Sequence, residues 1–272
     1  MLEYPELYTI AQQMQAALPG KTVTEGALVK PNGNLFMPAE AAQQYGMLQG
    51  GTVTHVTLCA PELYVALDNG QGMLFCACGG KILYHENGRL PASHTIHFTF
   101  TDGSALSYTM QLWSMGIYAV SHEDWETRKQ KQAKTLFQPL EGDFAAFQRF
   151  AACDPEQSKT PIKVYLSKHI AGVMSTFAGE ILLHAGVYPS MQLQKLDADA
   201  LRRIYDSMQK VLSSACQQGG RVSETDLLGS KGRYVAMTER KHIGEPCPVC
   251  GGALDKNSTG GVTAFCPVCQ QK

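Results

Sequence analysis

The sequence lacks a long apolar run, and this absence is the first constraint on its class. None of the 272 residues lies in a hydrophobic stretch of about 20 residues, the length that a helix needs to cross a bilayer. The N-terminus carries Glu3 and Glu6 and no basic segment ahead of an apolar one, so it does not resemble a signal peptide. The sequence therefore predicts a cytoplasmic protein with no membrane partner.

Strong net charge, internal repeats and low-complexity tracts are also absent. The formal net charge is −1, with 44% hydrophobic and 17% charged residues, which is ordinary for a globular protein. The charge is nevertheless uneven: residues 1–140 carry −3, residues 141–200 carry −2 and residues 201–272 carry +4. A nucleic-acid partner would therefore be attracted mainly to the C-terminal quarter.

The chain has nine cysteines but no pattern of a disulfide framework. An odd, scattered set in a chain without a signal peptide argues for reduced thiols; its members are Cys59, Cys76, Cys78, Cys153 and Cys216. Cys76 and Cys78 would share one face of a strand. Small core residues are the simplest interpretation of this pair, with a second metal site or a redox pair as the alternative.

Periodic hydrophobic residues divide the chain into two halves. Residues 5–18 have a helical pattern, and from about residue 52 to residue 120 apolar residues recur at every second position. Asp68-Asn69-Gly70 and Thr101-Asp102-Gly103 separate alternating runs and are strong hairpin signals. This half is predicted to be an antiparallel sandwich or barrel.

Helical periodicity replaces the alternation after residue 143. The polar stretch at residues 122–134 is interpreted as a linker or as the start of a solvated helix. Asp197 is the expected N-cap of a later helix, and Gly186 and Gly219 are expected to end helices.

Four cysteines near the C-terminus have the spacing of a zinc finger. Two Cys-x2-Cys pairs are separated by fifteen residues; the four are Cys247, Cys250, Cys266 and Cys269. Four thiolates form a closed tetrahedral site that suits Zn²⁺, so the metal is predicted to be structural and not catalytic. Spacing alone names no partner, because many such fingers only rigidify a chain terminus.

Three stretches in combination resemble the formamidopyrimidine-DNA glycosylase / endonuclease VIII family. They are MLEYPELYT at the N-terminus, PIKVYLSKHIAGVMSTFAGEILLHAGVYPS at residues 161–190, and the finger CPVCGG…GGVTAFCPVCQ. The resemblance covers essentially the whole chain and implies an α+β multidomain fold. A β-sandwich flanked by helices (residues 1–121) would be followed by a linker (122–140), a helix–two-turn–helix domain (141–240) and the zinc finger (241–272).

The resemblance also implies a chemistry that this chain departs from at its first residues. Members of the family form a Schiff base with the sugar of a damaged nucleotide, excise the flipped base and nick the strand. Their nucleophile is an N-terminal proline followed by glutamate, whereas here Leu2 precedes Glu3. An amine on Met1 would be displaced by one residue, and misplacement by about 1 Å can cost about a hundredfold in rate. Glu3 keeps the family position of a catalytic residue, with a helix-start carboxylate as the simpler alternative.

Two further family features are altered in the predicted sheets. A phosphate-contacting lysine is replaced by Pro61 or Glu62, and Glu62 would repel a phosphate backbone. The side chains that fill the space of the flipped nucleotide lack counterparts, since Cys78 stands at a methionine position and SYTMQLWSMG has no arginine. Trp113 could wedge between bases, although core packing is the simpler interpretation.

The remaining contacts with nucleic acid are expected in the C-terminal half. Gly172 stays, Ser175 replaces an asparagine at a helix start whose amides suit phosphate, and Val262 replaces the arginine of the finger. A basic set could line a binding face: Arg202, Arg203, Lys210, Arg221, Lys231, Arg233, Arg240 and Lys241. Arg233, Arg240 and Lys241 are the preferred candidates, because they lie in the loop that enters the finger.

These replacements lead to the hypothesis of a family relative that binds DNA or RNA through its C-terminal half and has lost glycosylase and lyase activity. One alternative is an active DNA glycosylase/AP lyase of base excision repair that uses a non-proline N-terminal amine. The other is a protein-interaction module without a nucleic-acid partner, suggested by the apolar residues Leu2, Met174 and Val262.

Overall fold

The chain forms two compact units. The computed structural model describes residues 1–29, 43–76, 80–110, 116–152 and 157–271. The first unit consists of Met1–Gln132 and Gly219–Arg233, and the second of Ala133–Gln218 and Tyr234–Lys272. The predicted domain boundaries stay predictions.

Two four-stranded antiparallel sheets make up most of the first unit. The strands are β1 (Val23–Leu28), β2 (Val53–Cys59), β3 (Glu62–Leu67), β4 (Gln71–Cys76), β5 (Gly80–His85), β6 (Ile96–Phe100), β7 (Ala105–Met110) and β8 (Ile117–Ser121). One sheet has the order β1-β6-β7-β5 and the other β2-β3-β4-β8. The predicted antiparallel sandwich is confirmed.

Both predicted hairpins join neighbouring strands. The Asp68-Asn69-Gly70 turn connects β3 to β4, and the Thr101-Asp102-Gly103 turn connects β6 to β7. Gly70 has φ +81° and Gly103 has φ +83°, a conformation that glycine adopts without steric cost. The carboxylate of Asp102 accepts hydrogen bonds from the backbone and hydroxyl of Ser104 at 3.0 and 2.6 Å, which closes the second turn.

Helix α1 (Tyr4–Ala17) contributes to the core of the sandwich. Its residues Leu7, Ile10 and Met14 are fully buried and lie three or four positions apart, so they share one helix face. They join side chains from both sheets in a single cluster. Each such side chain contributes about 1.5–3 kcal/mol by leaving water.

Helix α2 (His122–Thr135) covers the other face of the β2-β3-β4-β8 sheet. Its segment, expected as a linker or a solvated helix start, is helical throughout. Trp125 is 3% exposed and stacks on Tyr64 of β3 with ring centroids 4.8 Å apart. Strand β3 is consequently buried on both faces, and only Glu62 among its six residues is charged.

Four helices form the bulk of the second unit: α3 (Phe144–Ala152), α4 (Ile162–His169), α5 (Ser175–Ala185) and α6 (Ala198–Gln217). The carboxylate of Asp197 accepts a hydrogen bond from the N–H of Ala200 at 2.7 Å, which confirms the predicted N-cap of α6. Gly186 ends α5 with φ +67°. Among the helices of the described residues, none combines the length and apolar character that crossing a membrane requires.

The cysteine-rich segment belongs to the second unit and packs on its helices. Strands β9 (Asp255–Asn257) and β10 (Thr263–Phe265) pair antiparallel. Leu183 of α5 joins the small core that contains Cys247 and Cys266. The N–H of Ala264 donates to the Thr238 carbonyl at 2.9 Å, so the strands of the finger are bonded to the segment that precedes it.

The stack between Trp125 and Tyr64 generates a prediction for stability. Trp125→Ala should lower the free energy of unfolding by about 3–5 kcal/mol, because it opens a cavity under α2. The measurement is a urea titration followed by circular dichroism. Thr127→Ala changes an exposed residue of the same helix and should have little effect; equal losses in both variants would show that α2 does not depend on this contact.

Candidate functional site

The first residues of the chain are mostly buried. Leu2 is 2% exposed and belongs to the core of the first unit, whereas Met1 is 51% exposed. Glu3 is the N-cap of α1: its carboxylate accepts a hydrogen bond from the N–H of Glu6, and its own N–H donates to Glu6 Oε2 at 2.8 Å. This reciprocal pair is a capping box, so the helix-start role considered for Glu3 is present.

One guanidinium, that of Arg221, holds both glutamates. Its Nε and Nη2 atoms donate to Glu6 at 3.1 and 3.0 Å, and its Nη1 lies 3.5 Å from Glu3 Oε1. The backbone N–H of Arg221 also donates to Glu6 at 2.9 Å, and Nη2 donates to the Met1 carbonyl at 2.8 Å. Gly220 permits this approach, because a Cβ there would lie 2.9 Å from Glu6 Cγ.

The cluster brings two cations, the Met1 amino group and Arg221, together with three carboxylates. The Met1 amino nitrogen lies 3.2 Å from Glu224 Oε1, and Arg221 Nη2 lies 3.7 Å from the same oxygen. Burial by itself would lower the pKa of Arg221, but the negative charges of Glu6, Glu3 and Glu224 outweigh burial and raise that pKa. Arg221 is 5% exposed, so its expected place on an exposed binding face is corrected: it is a buried partner of carboxylates.

Further contacts fasten the segment Gly219–Arg233 to the first unit. Gln13 of α1 accepts a hydrogen bond from the N–H of Leu227 at 2.9 Å and donates to Asp226 at 2.8 Å. Leu227 is fully buried, and its carbonyl accepts a hydrogen bond from the N–H of Tyr84 at 2.9 Å. The segment that follows α6 is therefore joined to the first unit by hydrogen bonds and by a buried side chain.

Glu62 occupies an internal ion pair. Arg128 Nη2 of α2 lies 2.6 Å from Glu62 Oε1, and the Gln132 amide donates to Oε2. The thiol of Cys76 donates to the same carboxylate at 3.6 Å, which gives this cysteine a structural partner. Glu62 is 6% exposed. Its expected repulsion of a phosphate backbone is therefore corrected, because its charge is paired with Arg128 inside the first unit.

The four cysteines of the predicted finger converge. Their sulfur atoms all lie within 4.8 Å of one another, with 4.0 Å between Cys247 and Cys269 and 3.4 Å between Cys250 and Cys266. A tetrahedral site with Zn–S bonds of about 2.3 Å separates its sulfurs by about 3.8 Å. The N–H groups of Val249 and Cys269 donate to Cys247 and Cys266 sulfurs at 3.4 Å. The donor set fits zinc with no open position.

The predicted phosphate-holding residues lie at the start of α5. Gly172 has φ +70°, and Ser175 is the first helical residue. The turn between β9 and β10, here called the fingertip (residues 258–262), lies against this helix start: a Cβ on Gly261 would be 3.1 Å from Ser175 Oγ. Val262 is 38% exposed beside it. The structure thus brings together two elements that the sequence separates by about ninety residues.

The preferred basic candidates, Arg233, Arg240 and Lys241, are all exposed. Lys241 Nζ lies 2.7 Å from Glu239 Oε2, so part of its charge is already balanced. The role of these three residues in binding stays a prediction. Cys78 and Trp113, at the expected positions of the space-filling side chains, lie outside the described residues.

Known proteins similar to this chain include members of one family. Residues 1–111 match the model of the formamidopyrimidine-DNA glycosylase N-terminal domain. A formamidopyrimidine-DNA glycosylase of Bacillus cereus is 24% identical over 278 residues, covering 100% of both chains. That of Exiguobacterium sibiricum is 26% identical over 277 residues, covering 100% of this chain and 99% of its own. The chain is thus similar to formamidopyrimidine-DNA glycosylases over its N-terminal 111 residues by the family model and over its whole length by these relatives.

A solved structure has the same fold as this chain. Lactococcus lactis Fpg, in a complex with DNA that contains an abasic site, has a TM-score of 0.84 at 23% identity. The match covers 99% of this chain and 100% of that chain. The fold predicted from the resemblance is confirmed for the part of the chain that the structure describes.

Sequence reasoning missed the main partners within this formamidopyrimidine-DNA glycosylase relative. By sequence, Arg221 resembles the exposed cations near it, and no local pattern indicates Glu224 as its neighbour or Arg128 as the partner of Glu62. The available signal for Arg221 was weak: a Gly219-Gly220 pair before an arginine indicates a tight approach of the backbone, but not what it approaches.

The buried cluster around Arg221 predicts a large stability effect. Arg221→Met should lower the free energy of unfolding by about 3–5 kcal/mol, because it leaves Glu3 and Glu6 as buried carboxylates without their cation. A urea titration measures it. Arg202→Met removes an exposed arginine paired with Asp206 and should change stability little; a comparable loss there would contradict a special role for the cluster.

Proposed function

We propose that this chain is a DNA-binding member of the formamidopyrimidine-DNA glycosylase / endonuclease VIII family that has lost the excision and strand-nicking chemistry of the family. The observation that carries this proposal is the side chain of Leu2, which is 2% exposed within the core. A buried leucine stands where the resemblance expects the reactive proline. Its backbone nitrogen is an amide, which is not a nucleophile.

The neighbouring groups support the same conclusion. The Met1 amino group is paired with Glu224 at 3.2 Å, so this amine already has a partner within the chain. Glu3 is 2% exposed and held by Arg221 and by its capping box. A carboxylate engaged in this way is poorly available for proton transfer.

DNA is the partner that the relatives favour. Lactococcus lactis Fpg has been solved with DNA that contains an abasic site and with DNA that contains N7-benzyl-Fapy-dG. In this chain we infer that phosphate contacts come from the helix start at Gly172 and Ser175, where N–H groups and the helix dipole favour an anion. Exposed Arg233, Arg240 and Lys241 would add long-range attraction. RNA and a purely protein partner are outcomes of the tests below.

We infer a structural role for zinc in this function. The four cysteine sulfurs form a closed donor set, so a bound ion would have no position for water or substrate. Zinc would hold the fingertip in a fixed shape, because a segment of this length builds little core by itself.

The absence of the nucleophile can be tested by chemical trapping. Sodium borohydride with duplex DNA that carries an abasic site should give no covalent adduct, because the imine that borohydride reduces does not form. Gel electrophoresis under denaturing conditions measures the adduct. A family member with an N-terminal proline serves as the positive control.

An adduct formed with ordinary turnover would contradict the proposed loss of chemistry. If that adduct disappeared when a short peptide was added before Met1, the non-proline amine would be the nucleophile. Absence of the adduct together with measurable DNA binding supports the proposal.

The binding face is tested by removing charge near the finger. Arg240→Ala combined with Lys241→Ala should weaken binding to duplex DNA and reduce the slope of log affinity against log salt by about 1–2, since each phosphate contact contributes about 0.9. Fluorescence anisotropy with labelled duplex DNA, single-stranded DNA and RNA provides the measurement.

The matched control is Arg202→Ala combined with Lys210→Ala, which removes two basic residues from the exposed side of α6. The slope should then stay close to that of the unaltered chain. Tighter binding to RNA than to duplex DNA would identify RNA as the partner. Absence of salt-dependent binding to all three would favour a protein partner.

A further inference from the structure

The most deeply buried cation of the second unit, among its described residues, is Lys163 of α4, which is fully inaccessible to solvent. Its ammonium group donates to the carbonyl oxygen of Gly261 at 2.9 Å and to the hydroxyl of Thr263 at 2.7 Å. Both acceptors belong to the finger, about a hundred residues further along the chain. Burying an ammonium group is costly unless it is hydrogen-bonded. The buried Lys163 therefore favours the position of the finger in which both acceptors meet its ammonium group.

The fingertip packs against the starts of two helices, next to its contact with Lys163. Gly260 has φ +60° and Gly261 has φ +103°, which only glycine adopts readily. A Cβ on Gly260 would lie 3.1 Å from Val164 Cγ2, and a Cβ on Gly261 would lie 3.1 Å from Ser175 Oγ. The backbone of the fingertip therefore reaches the starts of α4 and α5 at contact distance.

The opposite side of the fingertip has neutral anchors. The hydroxyl groups of Ser190 and Thr259 are 2.6 Å apart, and the Asn257 amide donates to Ser190 at 3.2 Å. These bonds fix the base of the turn, whereas Lys163 fixes the side that faces Ser175. Removing a Lys163 acceptor should therefore shift the fingertip relative to α5 without releasing the whole finger.

We propose that Lys163 is a positioning residue for DNA binding. Its ammonium group, acting through Gly261 and Thr263, seats the fingertip against Ser175 so that the fingertip backbone and the N-terminus of α5 form one phosphate-facing surface. The proposal rests on the proposed DNA binding. It accounts for a fingertip that carries Val262 and no cation. The fingertip contributes to DNA binding through the shape of its backbone, and the buried ammonium group of Lys163 sets this shape.

The sharpest variant is Thr263→Val, which is nearly isosteric and removes one acceptor of Lys163. Its matched control is Thr263→Ser, which keeps the hydroxyl. We expect Thr263→Val to retain one zinc ion per chain by metal analysis and to bind duplex DNA about tenfold more weakly. Thr263→Ser should bind as the unaltered chain does, because the hydrogen bond is restored.

Amide hydrogen exchange provides a second readout that does not depend on DNA. In Thr263→Val, exchange should increase at residues 172–177 and 260–262, while the segments around the four cysteines stay protected. If the unaltered chain binds no DNA, the proposed function fails, and this exchange pattern still tests the positioning separately.

Several results would overturn the role of Lys163. One is unchanged DNA affinity and exchange in Thr263→Val. Another is an equal loss of affinity in Thr263→Val and Thr263→Ser, because the hydroxyl would then not be the relevant group. Loss of zinc in Thr263→Val would also count against it, since the residue would then support the finger as a whole and not its position.

Discussion

The ion cluster of Arg221 with Glu6 and Glu3 is the constraint on which the first unit depends. It closes the start of α1, binds the Met1 carbonyl and secures the segment after α6 to the sandwich. Because all three side chains are nearly inaccessible to solvent, removal of Arg221 would leave two carboxylates buried without this cation. The same cluster holds Glu3, which also caps α1, in a structural role.

A common feature links this cluster with two others. Glu62 is paired with Arg128 beneath α2, and Lys163 is hydrogen-bonded to the fingertip beneath the finger. In each case a charged side chain is turned inward and is paired or hydrogen-bonded within its own unit. Buried polar contacts of this kind recur in both units.

Local chemistry made much of the fold predictable. The Asp-Asn-Gly and Asp-Gly turns, the Asp197 cap and the cysteine pairs act over a few residues, so their sequence signals are complete by themselves. The prediction was less informative at residues 122–134, where one buried residue, Trp125, decides how the helix packs. Its polar neighbours make the helix look solvated, and nothing local indicates that Tyr64 is its partner.

The sequence by itself determined the sandwich, the helical half, the closed cysteine site and the missing proline, because each depends on residue type and short spacing. Only the tertiary structure decided that Leu2 is buried, that Arg221 serves Glu6 and that Lys163 serves Gly261 and Thr263. The pairs formed by Arg221 and Lys163 join residues about two hundred and about one hundred positions apart. The local sequence around a charged side chain does not indicate a partner that lies far away in the chain. Which carboxylate or carbonyl it contacts is therefore decided by the packing of the folded chain.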